Sequence, residues 1–163
     1  MASKPATDEK FFDALIGEDD LGAVVRAHIH IETRLQLVVE AFTRHPDYLP
    51  SLRYEQKAKL AVALGLSWRI LPALMKLGHI RNSFGHRLDV TLTDDMVNEL
   101  FNCLAEEDQK TIVEAYQMTQ KQLNLDWPSF KKSSARLKFV NIAVALDKFL
   151  IIAEQEAAET RNV

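Results

Sequence analysis

Apolar residues recur along most of the chain at intervals of three or four positions rather than at alternate positions. This spacing is typical of helices that bury one face, whereas strands show a period of two. Glycine and proline are few and fall mostly between the periodic segments, where they mark ends and connections. The chain is therefore predicted to be an all-α, single-domain bundle of about six to seven helices.

Breaks between the periodic segments define the individual helices. We predict helices over residues 8–16, 19 or 20 to 44, 51–64, 72 to 86 or 87, 93–104, 106–123 and 134–160. Ser51, Pro72 and Thr93 are expected to start helices, and Gly65 is expected to end one. Residues 88–92 are predicted to be extended, and residues 45–50 and 124–133 to form loops.

The last predicted helix has apolar residues on almost every side. They are Leu137, Phe139, Val140, Ile142, Val144, Leu146, Phe149, Leu150 and Ile151. A helix that is apolar all round is buried on more than one side. We therefore expect this helix to be covered on two sides, and because a second subunit is one source of that cover, we expect a homodimer.

The second predicted helix has ionisable residues inside its apolar face. That face is formed by Val24, Ile31, Leu35, Val38, Val39 and Phe42. His28 and Glu32 fall within it, whereas His30 and Arg34 are predicted to point to solvent on the other side. Because a buried charge is costly unless it is paired, His28 and Glu32 are expected to contact each other or the fourth helix.

The fourth predicted helix ends in the sequence IRNSFGHR, residues 80–87. Asn82 and His86 lie four positions apart on a face that is otherwise apolar, with Arg81 beside them. We expect this face to form a polar layer with His28 and Glu32 of the second helix.

Two glycines interrupt this fourth helix. Gly78 and Gly85 each weaken it by about 1 kcal/mol relative to alanine. Their presence indicates close approach of another backbone or of a ligand.

Composition limits the classes of partner and of chemistry. The chain has 163 residues, enough for one core, and its net charge of −3 argues against a wholly basic nucleic-acid binder. A local basic segment remains, in which Lys131, Lys132, Arg136 and Lys138 are candidates for phosphate contact. We expect residues 1–7 and 161–163 to be flexible tails.

Cysteine usage and the N-terminal segment indicate the compartment. Cys103 is the single cysteine, so the chain contains neither an intrachain disulfide nor a CxxC metal motif. The polar N-terminus lacks the apolar core of a signal peptide, and no apolar run is long enough to span a bilayer. We expect a cytoplasmic protein without metal or other cofactor.

The residues at the end of the fourth helix admit two interpretations. In the first, Arg81, Asn82 and His86 only cap the helix C-terminus, where positive charge is favourable. In the second, His86 acts as general acid or base and Arg81 stabilises the phosphorane formed when an RNA 2′-hydroxyl attacks.

Arg81 and His86 have the R-x4-H spacing, with a polar second residue, that resembles the motif of HEPN domains. Those are small helical bundles that often work as metal-independent ribonucleases. The resemblance implies Arg81 and His86 as catalytic residues and Asn82 as an orienting residue, in a cleft shared by two subunits.

A wider part of the chain is similar to the mannitol operon repressor family. The similarity is carried by residues 54–66, 77–86 and 91–95 and extends over about residues 20–120. It implies an all-helical cytoplasmic bacterial protein assigned to transcriptional regulation of sugar-alcohol uptake.

No convincing helix-turn-helix is present, because the predicted helices on either side of Gly65 are rich in apolar residues and the second begins Pro-Ala-Leu-Met, at residues 72–75, rather than with base-reading side chains. We therefore predict a homodimeric regulator that acts through contacts with other regulatory proteins. The alternatives are a metal-independent endoribonuclease that uses Arg81 and His86, and a dimerisation module that binds no ligand.

Overall fold

The helical periodicity of the sequence produces seven α-helices and three short 3-10 helices in the part of the chain that the structure describes. The structure, a computed structural model, describes residues 8–85, 87 and 89–161. The helices are α1 (Asp8–Ile16), α2 (Asp20–Phe42), α3 (Tyr54–Leu64), α4 (Leu71–Gly85), α5 (Asp94–Asn102), α6 (Glu106–Gln122) and α7 (Ala135–Arg161), and the 3-10 helices are Pro46–Tyr48, Trp68–Ile70 and Phe130–Lys132. No strand occurs among these residues, so the predicted all-α bundle is confirmed. The predicted tail 1–7 and residues 162–163 of the predicted tail 161–163, together with His86 and Leu88, lie outside the described residues, whereas Arg161 is the last residue of α7.

Side-chain capping explains most of the helix starts. Thr93 caps α5 as predicted, since its Oγ1 accepts a hydrogen bond from Met96 N at 3.2 Å. The prediction for Ser51 is wrong, because α3 begins at Tyr54, and the backbone N–H of Arg53 donates to the side chain of Gln56. Residues 89–92, predicted to be extended, form a turn and irregular chain.

Gly65 ends α3 as predicted, and the backbone there requires glycine. Its φ is 135°, a value that other residues rarely adopt, and its N–H donates to the carbonyl groups of Ala61 and Val62. A Cβ atom at this position would lie 2.9 Å from the ring of Phe42. The end of α3 is thereby held against the end of α2.

The two longest helices, α2 and α7, run parallel at the centre of the bundle. Arg136 near the start of α7 contacts Asp20 at the start of α2, and Arg34 contacts Glu154 further along both helices. Most of the large, fully buried side chains of the core lie on these two helices and on α4 to α6. They are Ile31, Leu35, Leu74, Leu77, Leu100, Ile112, Tyr116, Phe139, Ile142, Leu146 and Leu150, joined by Leu15 of α1.

The all-round apolar pattern of α7 is satisfied inside a single chain. Helices α1, α2, α5 and α6 all pack against it. Between Lys138 and Leu150, Lys148 is exposed and the remaining residues are buried or half-buried. The predicted cover on two sides is therefore confirmed, and it comes from other helices of the same chain. None of the described helices has the length and apolarity needed to cross a membrane.

Candidate functional site

The C-terminal turns of α4 present Arg81 and Asn82 to solvent. Both residues are exposed, and Nη1 of Arg81 lies 3.4 Å from Oδ1 of Asn82. The core face of α4 is instead formed by Ala73, Leu74, Leu77, Ile80 and Phe84. The prediction that Asn82 shares a core face is therefore wrong. His86, the third residue of the proposed motif, lies outside the described residues.

The side chain of Tyr54 fills the space that Gly78 leaves open. A Cβ atom at Gly78 would lie 3.1 Å from the Tyr54 ring, and the Tyr54 hydroxyl donates to the carbonyl of Leu74 at 2.9 Å. The close approach at Gly78 is thus made by an aromatic side chain of α3, whereas the sequence predicted another backbone or a ligand. At Gly85 the nearest atom to an added Cβ is 3.7 Å away, an ordinary contact, so the described residues make no close approach there.

His28 and Glu32 are paired with α3 rather than with Asn82. The ring of His28 lies 4.2 Å from the Tyr54 ring between centroids, and Nζ of Lys57 lies 3.1 Å from Oε1 of Glu32. The polar layer predicted between α2 and α4 is therefore occupied by Tyr54 and Lys57. Each of these four side chains therefore contacts another side chain of the same layer.

Burial controls the protonation of this cluster. Loss of solvent lowers the pKa of His28, the positive charges of Arg81 and Lys57 lower it further, and Glu32 opposes them. Arg81 is thus within electrostatic reach of His28, although its guanidinium is at the surface. Burial, aided by Glu32, raises the pKa of the Tyr54 hydroxyl. A neutral imidazole and a neutral phenol therefore lie side by side in this cluster.

The lowered pKa of His28 predicts a loss of stability in acid. As the pH falls below about 6.5, the imidazole of the unfolded chain binds a proton that the folded chain binds only at lower pH. The free energy of unfolding should therefore decrease with decreasing pH, and a His28→Gln variant should lose less stability over the same range. Urea titrations between pH 7.5 and 5 measure this difference. The matched control is His45→Gln at an exposed position; an acid loss in the His28 variant equal to that of the wild type would contradict the prediction.

The basic segment divides between two parts of the surface. Lys131, Lys132 and Lys138 line a cavity of about 860 Å³ that is formed by α5, α6, the 3-10 helix at 130–132 and α7. Arg136 points elsewhere, since its Nη1 donates to the carbonyl of Glu18 at 2.7 Å. Three of the four predicted phosphate-contact residues are therefore brought together.

A buried ionic network between α2 and α7 was not predicted. Nε of Arg34 donates to Oδ1 of Asp147 at 2.9 Å, and its Nη1 donates to Oε2 of Glu154 at 3.2 Å. Nε2 of His30 lies 3.2 Å from the same Asp147 oxygen, and the His30 ring stacks on Phe11 at 3.7 Å. The prediction that His30 and Arg34 point to solvent is wrong, because both side chains face α7.

The sequence did contain a signal for this network. Asp147 is the acidic residue within the apolar stretch of the last helix, and a carboxylate there needs a cationic partner. The network holds α2 against α7 but borders none of the cavities described here, so we assign it a structural role. Oδ2 of Asp147 is buried without a hydrogen-bond partner among the described residues.

The described residues give little support for metal or thiol chemistry. They contain no group of three His, Cys, Asp or Glu side chains placed to hold a metal ion. Burial raises the pKa of the Cys103 thiol, which reduces the nucleophilic thiolate form.

A second candidate surface is a largely apolar groove between α1, α6 and α7. Its volume is about 560 Å³, and its apolar lining includes Phe12, Leu123, Phe149 and Ile152. Leu123 is 63% exposed and Ile152 is 47% exposed. We call this surface the α7 groove.

Comparisons with known proteins identify no relative of this chain. The chain matches no protein-family model, no curated protein and no solved structure. The resemblances to HEPN domains and to the mannitol operon repressor family remain predictions from the sequence.

Proposed function

We propose that the protein is a non-catalytic helical regulator that binds a helical segment of another regulatory protein in the α7 groove. The observation that carries this proposal is the exposure of large apolar side chains at a concave surface. Contiguous apolar patches on a protein surface commonly mark interaction sites, and amphipathic helices bind such grooves through residues spaced three or four apart. The resemblance to the mannitol operon repressor family supports a role for this binding in transcriptional regulation.

The dimensions of the α7 groove suit a helix of several turns. Its lining runs along α7 from Asn141 to Ile152, and Phe149 and Ile152 also line a neighbouring cavity of about 310 Å³ that reaches Glu156. Fifteen helical steps from Asn141 to Glu156 span about 22 Å. A bound helix of about four turns would cover this length.

Charges around the α7 groove define the partner more closely. Four carboxylates border the groove and the neighbouring cavity, namely Glu9, Asp13, Asp108 and Glu156. The cations there are Lys148 and Arg69, and Nη1 of Arg69 is already 3.2 Å from Oε2 of Glu107. The partner helix should therefore carry lysine or arginine beside its apolar face. The predicted homodimer is a separate prediction, which light scattering tests.

Two designed helical peptides test the proposal. They share one apolar face and differ in polar face, lysine-rich in one and glutamate-rich in the other. We expect the lysine-rich peptide to bind and its binding to weaken with added salt. A Leu123→Ser/Ile152→Ser double variant should bind it at least about tenfold more weakly, because two apolar contacts are lost.

The control for this experiment is Ile29→Ser, which removes an apolar side chain that is 57% exposed on α2. It should leave peptide binding unchanged. Failure of both peptides to bind, or equal binding to the double variant and the wild type, would contradict the groove as a docking site. Fluorescence anisotropy of labelled peptides provides the measurement.

Metal-independent ribonuclease activity is the second candidate function. It is favoured by the exposed, adjacent side chains of Arg81 and Asn82, with Arg81 within electrostatic reach of His28, whose pKa is lowered chiefly by burial. Arg81 would stabilise the phosphorane, and His86 would act as general acid or base during attack by the 2′-hydroxyl. The resemblance to HEPN domains supports this assignment.

Cleavage of single-stranded RNA in the presence of EDTA distinguishes the two functions. If the enzyme assignment is right, Arg81→Ala and His86→Ala abolish cleavage without changing the melting temperature, whereas Arg26→Ala at an exposed position of α2 has no effect. If RNA stays intact with the wild type, the ribonuclease assignment is rejected.

A further inference from the structure

The cavity that contains Lys131, Lys132 and Lys138 lies on a different face of α6 from the α7 groove. Val113 and Gln117 of α6 line this cavity, whereas Ile112, Ala115 and Thr119 line the groove. We call it the lysine cavity. At about 860 Å³ it is within the range of small-molecule sites.

A buried ammonium group forms part of its wall. Lys138 is 6% exposed, and its Nζ lies 2.8 Å from Oδ1 of Asp94, whose side chain is 67% exposed. An ammonium group has three N–H donors, and among the described residues Asp94 is the hydrogen-bond acceptor found for Lys138. Two donors are therefore left for other acceptors at the cavity wall, and a buried cation with open donors favours an anion there.

The rest of the lysine cavity combines further positive charge with an apolar surface. Lys131 and Lys132 are exposed on the 3-10 helix that borders it. The rings of Phe101 and Phe130, with centroids 5.2 Å apart, and the side chain of Val113 supply apolar wall. A ligand that fits this lining has an anionic headgroup attached to an apolar ring.

We propose that the lysine cavity binds a small aromatic anion. Its phosphate or carboxylate headgroup contacts Lys131, Lys132 and Lys138, and its ring lies against Phe101 and Val113. Asp94 competes with the headgroup for Lys138 and so limits the affinity. This site is independent of the proposed docking of a helix in the α7 groove.

Four compounds test the required chemistry by isothermal titration calorimetry. Phenyl phosphate and phenylacetate carry both a ring and a charge, benzyl alcohol lacks the charge, and inorganic phosphate lacks the ring. We expect at least one of the two aromatic anions to bind ten or more times more tightly than benzyl alcohol and inorganic phosphate. The stronger of the two identifies the headgroup as a phosphate ester or a carboxylate.

Substitutions with opposite expected effects test whether the aromatic anion binds in the lysine cavity. Lys131→Ala/Lys132→Ala should weaken binding of the aromatic anion about tenfold or more. Asp94→Asn should tighten it severalfold, because the competing charge is removed while the side chain keeps its size. Lys59→Ala, which removes an exposed lysine of α3, should have no effect.

Several outcomes would overturn the proposal. They are no binding of either aromatic anion at 10 mM ligand, equal binding of inorganic phosphate, an unchanged affinity in the double lysine variant, or weaker binding by Asp94→Asn. The Leu123→Ser/Ile152→Ser variant should bind the anion normally. If this variant loses peptide binding and keeps anion binding, the two sites are separate. The proposal for the lysine cavity and the proposal for the α7 groove can then fail independently.

Discussion

Replacement of Arg34 by methionine is expected to lower the free energy of unfolding by about 3–5 kcal/mol, because it leaves the buried carboxylate of Asp147 without its main partner. Asp147 is fully buried, and Arg34 is 5% exposed. Methionine keeps an unbranched apolar chain in place of the aliphatic part of arginine, so the loss reports mainly on charge rather than on a cavity. Equilibrium urea unfolding followed by circular dichroism provides the free energies.

Two further variants separate the ion pair from general effects of the substitution. Arg26→Met, on the same helix, removes an arginine whose side chain is 60% exposed and paired with Glu18, so it should cost less than about 1 kcal/mol. Arg34→Met/Asp147→Leu removes both buried charges and should recover most of the loss. A loss for Arg34→Met no larger than that for Arg26→Met would show that Asp147 is solvated or otherwise paired.

Replacement of Leu146 by alanine is expected to lower the free energy of unfolding by about 2–5 kcal/mol, because it opens a cavity at the centre of the bundle. Leu146 is fully buried on α7, where helices of the same chain surround it. Ile152→Ala on the same helix is the matched control, since Ile152 is 47% exposed, and its cost should stay below about 1 kcal/mol.

The same measurement tests the predicted homodimer. If the folded chain is monomeric, the unfolding midpoint of the wild type does not change with protein concentration. If the folded chain associates, the midpoint rises with concentration, because association stabilises only the folded state.

Much of the fold could be predicted from local sequence patterns. All seven helices were predicted, and for the ends that the structure describes the errors are at most three residues. Thr93 and Gly65 were correctly placed at helix ends because their effects depend on a hydrogen bond to a nearby residue or on the backbone angle at a single position. Ser51 has the chemistry of a cap, but α3 starts three residues later.

The candidate sites were predicted less well, since they depend on neighbours that are distant in the sequence. Arg34 was assigned to solvent because the second helix was given one apolar face, whereas α2 is covered on a second side by α7. Asn82 was assigned to a core face and is exposed, and Arg136 is separated from Lys131, Lys132 and Lys138. The α7 groove could not be predicted from the sequence, because the pattern of apolar residues along one helix does not show which of them stay exposed.

The sequence by itself determined that this protein is a helical bundle, where its helices lie and that the last helix is covered on two sides. These properties follow from the spacing of apolar residues and from interactions within one or two turns. Only the tertiary structure decided that Asp147 pairs with Arg34, that the ring of Tyr54 packs against His28, and that three lysines share one cavity. Those contacts depend on the relative position and rotation of whole helices, which the packing of all the side chains in the core determines together.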